Sequence, residues 1–134
     1  MTSPHRTALI GFGKMGTGYA DDPVMSRYFP YATHAQVLAD HPSFAWEAVV
    51  DPSDEALAKA REKWRIPCAL KNVEELGRRY QPEVAVIATP PDSRIEIIEL
   101  LPSLRAVMVE KPVGMTTAEA GEFLDLCDRR GVAV

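Results

Sequence analysis

Three glycines near the amino terminus carry the first chemical signal. In 7-TALIGFGKMGTGYA-20, Gly11, Gly13 and Gly16 form G-x-G-x-x-G directly after a short apolar run and ahead of a helix-forming segment. Each glycine has a separate task in a phosphate cradle. Gly11 permits a tight turn, Gly13 lets a pyrophosphate approach the backbone, and Gly16 lets the helix pack closely on the strand. The free N–H groups and positive dipole end of the following helix then face the phosphates. Phe12, Lys14 and Met15 complete the loop, with the Lys14 side chain expected to point to solvent.

A carboxylate supports this reading. Asp51 ends the next apolar run, FAWEAVV, where it can accept hydrogen bonds from the 2′-hydroxyl of an adenosine ribose. It would repel a 2′-phosphate, which favours NAD over NADP. Asp51 lies 35 residues beyond Gly16, against roughly 20 in the usual fingerprint. The segment 21-DDPVMSRYFPYATH-34 reads as an insertion that accounts for the excess, with helix resuming over Ala35–Ala39. The bland alternative for Asp51 is a turn residue before Pro52. Two later apolar runs also end in distinctive residues: VAVIA in Thr89-Pro90-Pro91, and AVMV in Glu110-Lys111-Pro112.

The elements that must position these residues alternate between strand and helix. Strands are expected at Thr7–Ile10, Phe44–Val50, Ile66–Leu70, Val84–Ala88 and Ala106–Val109, with another beginning at Val132–Val134. Helices are expected from Gly13, at Asp54–Trp64 behind Ser53, at Val73–Tyr80 behind Asn72, and up to Leu101 behind Asp92 or Ser93. The last runs over Thr117–Arg130 behind a Thr116/Glu119 capping box and stops at Gly131. Continuous apolar strands alternating with helices imply right-handed βαβ crossovers and a parallel sheet covered on both faces. The fold class is α/β, a Rossmann-type doubly wound parallel sheet in three layers with helices on both faces. Residues 1–134 form one dinucleotide-binding domain.

Composition narrows the function. The chain has 134 residues, a net charge of −4 and no basic run, which argues against nucleic-acid binding. No apolar stretch approaches a membrane span, about 20 residues, and the amino terminus lacks a signal-peptide core. A cytoplasmic location is expected, with Cys68 and Cys127 as reduced core thiols. His5, His34 and His41 show no metal-ligand spacing and lie outside the motifs, so no metal is expected.

VAVIATPPDSR (84–94) followed by VMVEKPVGMTTAEA (107–120) resembles the Gfo/Idh/MocA oxidoreductases, the family of glucose–fructose oxidoreductase and inositol dehydrogenase. The resemblance runs in order through essentially the whole chain. It implies that Gly11, Gly13 and Gly16 hold the pyrophosphate and Asp51 the adenosine ribose of NAD. It implies that Ala88, Thr89 and Pro90 line the cofactor, and that Glu110, Lys111 and Pro112 sit near the nicotinamide ribose and ring. Lys111 would border and position the substrate, and a cis peptide would precede Pro112. Family members often carry His a few residues after the Thr-Pro step; here Arg94 stands there, and a surface position is at least as good a reading as a ligand contact.

In the family a larger α+β domain follows, supplying the substrate pocket and catalytic set, and none of it is recognisable in 1–134. The function expected by resemblance is the dinucleotide-binding part of an oxidoreductase acting on a sugar- or polyol-type alcohol once a second domain completes it. The alternative is a stand-alone, non-catalytic dinucleotide-binding or regulatory module. A methyltransferase is disfavoured by the Thr-Pro and Glu-Lys-Pro strand ends. An apolar face left for the second domain would invite a homo-oligomer or another subunit.

Overall fold

The computed structural model describes residues 2–13 and 22–134. Five strands form one all-parallel sheet: β1 (His5–Ile10), β2 (Phe44–Val50), β3 (Cys68–Leu70), β4 (Val84–Ile87) and β5 (Ala106–Val109), in the order β3-β2-β1-β4-β5. The order reverses at β1, so the crossover from β3 to β4 passes from one side of the sheet to the other. That reversal opens a crevice at the carboxyl ends of β1 and β4. Six α-helices are described: α1 (Pro23–Tyr28), α2 (His34–Asp40), α3 (Asp54–Glu62), α4 (Val73–Arg79), α5 (Arg94–Leu100) and α6 (Thr117–Arg130).

Strand alternation divides the core into two layers. Ala8, Ile10, Ala48, Val50, Ala85, Ile87 and Val107 face α4, α5 and α6, meeting Leu76, Ile97, Ile98, Phe123 and Leu126. Leu9, Val49, Ala69 and Val86 face the other way, against Ala35 and Leu38 of α2 and Leu57 and Ala60 of α3. The three-layer α/β architecture expected from the sequence is therefore present.

Several boundaries differ from the sequence reading for local reasons. The insertion is partly helical: Asp22 accepts from the N–H groups of Val24 and Met25, and Pro23 starts α1. The return to helix begins at His34, behind a capping box of Thr33 and Gln36. α3 stops at Glu62, and Trp64 leaves the helix to pack its ring on Trp46, with centroids 5.5 Å apart. β3 starts only at Cys68, although Ile66 is already buried. Neither Asp92 nor Ser93 caps α5; a 3-10 turn over Pro91–Ser93 runs straight into it. Thr116 caps α6 as expected, but Glu119 accepts from the N–H of Met115 rather than closing the box. Gly131, at φ 68°, ends α6 in the left-handed region. Beyond it a strand does not form. Ala133 makes one parallel bridge to Ala106, its N–H donating to Arg105 O and its carbonyl accepting from Val107 N–H.

Candidate functional site

The site begins where β1 runs out. Gly11 has φ +92°, and a Cβ there would stand 2.7 Å from the carbonyl oxygen of Ala88. Glycine is required because the ends of β1 and β4 approach too closely for a side chain. Gly13 is different: a Cβ built on it meets nothing within 4 Å. Its missing side chain leaves open space on the cleft side of the loop. Phe12, between them, turns its ring into the core against Trp46 and contributes its backbone N–H. Lys14, Met15 and Gly16, with most of the helix expected from Gly13, lie outside the described residues.

That N–H goes to Asp51. Phe12 N donates to Asp51 Oδ2 at 2.8 Å, and Ser53 N donates to Oδ1 at 2.9 Å. The carboxylate therefore bridges the glycine loop and the turn that opens α3. Each oxygen retains a lone pair for a further donor. The turn role and a ligand role for Asp51 are thus compatible.

A cleft of about 560 Å³ lies along these strand ends. Gly11, Gly13, Asp51, Ala88, Thr89 and Pro90 all line it, as do Pro52, Lys71, Asn72 and Val73. The last four were not anticipated as site residues. Asn72 was recognisable only as the cap of α4, which it is, accepting from Glu75 N–H at 2.9 Å. Lys71 brings a cation to the Asp51 end of the cleft while pairing with Asp54 at 2.9 Å. The volume falls within the range of small-molecule sites, roughly 300–1,000 Å³. The cleft, the open space at Gly13 and the acceptor at Asp51 together fit an adenosine diphosphate moiety.

Glu110, Lys111 and Pro112 follow β5 and do not line this cleft. Lys111 is exposed, and the Lys111–Pro112 peptide is cis, as the resemblance implies. Two residues bind this segment to the rest of the site. His34 Nε2 lies 2.6 Å from Glu110 Oε1, with both side chains largely buried. Arg94 is no surface residue: only 2% of it is exposed. Its guanidinium donates from Nη1 to Pro112 O and from Nη2 to Thr89 O, the latter at 3.1 Å. Burial lowers the Arg94 pKa and nearby Glu110 opposes that shift.

The match to known proteins accords with this geometry. Residues 5–134 match the GFO_IDH_MocA family, described as an oxidoreductase family with an NAD-binding Rossmann fold. The chain belongs to the Gfo/Idh/MocA oxidoreductase family. A mouse relative in sequence, trans-1,2-dihydrobenzene-1,2-diol dehydrogenase, is 36% identical over 72 residues, covering 53% of this chain and 22% of the mouse protein. Among solved structures, apo scyllo-inositol dehydrogenase from Lactobacillus casei superposes with a TM-score of 0.76 at 15% identity, covering 99% of this chain and 37% of that one. The same dehydrogenase with bound NAD(H) and scyllo-inositol gives 0.74 at 14% identity, covering 95% of this chain and 34% of that one. This Gfo/Idh/MocA chain spans about a third of the length of those structures. Among the described residues, no helix is long and apolar enough to cross a membrane.

Proposed function

We propose that this chain is the cofactor-binding part of an NAD-dependent oxidoreductase that acts on a sugar- or polyol-type alcohol when a second domain completes the site. The observation that carries the reading is the Phe12–Asp51 hydrogen bond. It joins the glycine loop to an acidic strand end at the mouth of the cleft. In this reading the Gly11–Gly16 loop, including Phe12, Lys14 and Met15, cradles the pyrophosphate. Asp51 accepts from the adenosine ribose. Ala88, Thr89 and Pro90 flank the cofactor as it leaves β4, and Glu110, Lys111 and Pro112 flank its nicotinamide end.

Bound NAD supplies a hydride acceptor. The chain's own residues bind and orient it. The Lys111 ammonium, exposed just past the end of β5, would hold the substrate oxygen as the alcohol gives up its hydride. The hydroxyl proton passes to a base on the second domain. The Asp51 carboxylate disfavours a 2′-phosphate, so NAD is preferred over NADP. The location is cytoplasmic, and the second domain or another copy covers the face carrying Met108, which is 58% exposed at the centre of β5.

Calorimetric titration with NAD, NADH, NADP and NADPH tests the reading. Saturable binding of the NAD pair, weakened in Asp51→Ala, is the expected result. Absence of binding to all four would sink it.

A further inference from the structure

Arg94 occupies an unusual position for a cation. It opens α5, a helix whose other inward residues are Ile97 and Ile98, and its side chain is as buried as theirs. Its Nε–H is buried with no hydrogen-bond partner among the described residues. Burying a guanidinium and leaving a donor unsatisfied are both costly, so a side chain kept only for packing would be apolar. What the guanidinium gains is geometric. Its two terminal nitrogens reach Thr89 O at the end of β4 and Pro112 O beyond β5. A planar fork with donors in fixed directions sets the distance between two acceptors in a way that a flexible ammonium cannot. Glu110, one residue from the cis peptide, lies close enough to interact electrostatically with this cation and is itself hydrogen-bonded to His34.

The two carbonyls belong to two strand-end segments: 110–112, which the proposed function assigns to the nicotinamide end of the cofactor, and 88–90, which it places along the cofactor where it leaves β4 toward that end. The adenosine end of the cleft, at Gly11, Gly13 and Asp51, has no contact with Arg94 among its hydrogen bonds. We propose that Arg94 is a positioning residue that sets the spacing of the Thr89 and Pro112 segments, and through it the affinity for the nicotinamide half of NAD but not for the adenosine diphosphate half. The inference rests on the reading of this chain as a dinucleotide-binding domain.

The test compares NAD with ADP-ribose, which keeps the adenosine and diphosphate and lacks nicotinamide. Wild type, Arg94→Gln and Arg94→Lys are each titrated calorimetrically with both. In Arg94→Gln the NAD affinity should fall about tenfold while ADP-ribose affinity stays within about twofold of wild type. Arg94→Lys should not restore the NAD affinity, because one ammonium replaces a two-pronged fork. An equal loss for both ligands, or no loss for either, overturns the proposal. Should the variants fail to fold, hydrogen exchange on wild type decides. NAD, but not ADP-ribose, should protect the peptides 88–94 and 110–115 together; protection of one without the other overturns it. If wild type binds neither ligand, the dinucleotide reading itself fails. That outcome is distinct from a wild type that binds both while Arg94→Gln keeps their ratio.

Discussion

His34 and Glu110, 76 residues apart in sequence, meet at 2.6 Å and fasten the start of α2 to the segment that follows β5. The meeting follows from topology. α2 leads into β2, so it runs antiparallel to the strands and its first residue lies at their carboxyl ends. Glu110 is the first residue past β5 and arrives at the same edge. His34→Ala should lower stability by about 1–2 kcal/mol, the range for losing a hydrogen bond and leaving a largely buried partner unpaired. His34→Gln, which retains a donor, should lose less. Urea denaturation of the three proteins measures the difference, and equal midpoints would show that the contact contributes nothing.

The two described glycines of the loop should respond in opposite ways. Gly11→Ala places a methyl 2.7 Å from Ala88 O on a backbone of φ +92°. It should cost about 2–4 kcal/mol of stability. Gly13→Ala meets nothing, so its melting temperature should match wild type while NAD affinity falls. Thermal melts and titrations on both variants check this together. A Gly13→Ala chain that binds NAD normally would remove the pyrophosphate role from that position.

Asp51→Asn preserves shape and removes the charge. One amide oxygen replaces two acceptors, so either Phe12 N–H or Ser53 N–H loses its partner. A stability loss of about 1–2 kcal/mol is expected. NAD should bind about tenfold more weakly, and the preference for NAD over NADP should narrow because the repulsion of a 2′-phosphate is gone. Titration with the two oxidised cofactors gives the ratio directly.

Tyr80 gives a pH signature. Burial first, and then the neighbouring Glu47, raise its pKa above the ordinary tyrosine value. Its hydroxyl donates to Ala45 O at 3.2 Å. A pKa raised by folding stabilises fully below the unfolded value, about pH 10, and that contribution is lost as pH climbs toward the folded value. Melting temperature should therefore fall above about pH 10. In Tyr80→Phe the fall should be shallower. Parallel slopes for the two proteins would exclude Tyr80 as the source.

Much of this arrangement was legible in the sequence because it is local. Apolar runs such as VAVI mark strands buried on both faces, and Ser53, Asn72 and Thr116 each cap the helix they precede. The glycine spacing and Asp51 identified two strand ends that do share a cleft. Contacts that depend on how distant elements stack were not legible. Arg94 reads as a polar residue at a helix start, and nothing nearby in the chain reveals that two carbonyls await it inside. His34 carries no signal in its spacing, since its partner is set by the crossover geometry. Lys71 and Asn72 reach the cleft because β3 lies beside β2, an adjacency that emerges only from the strand order.

The short bridge between Ala133 and Ala106 has a bearing on how the molecule behaves among its own copies. β5 is an outer strand, and an outer strand offers its free amides and carbonyls to any passing chain as a template for further pairing. The turn at Gly131 brings residue 133 back to occupy Arg105 O and Val107 N–H, so the first half of that edge is already taken. Met108 and Val109 lie beyond the bridge. The segment after α6 thus acts as a guard on the strand's amino-terminal half. Sheet growth along this edge would have to start at its carboxyl-terminal end, beside the Glu110–Pro112 segment, which leaves β3 as the other outer strand of the sheet.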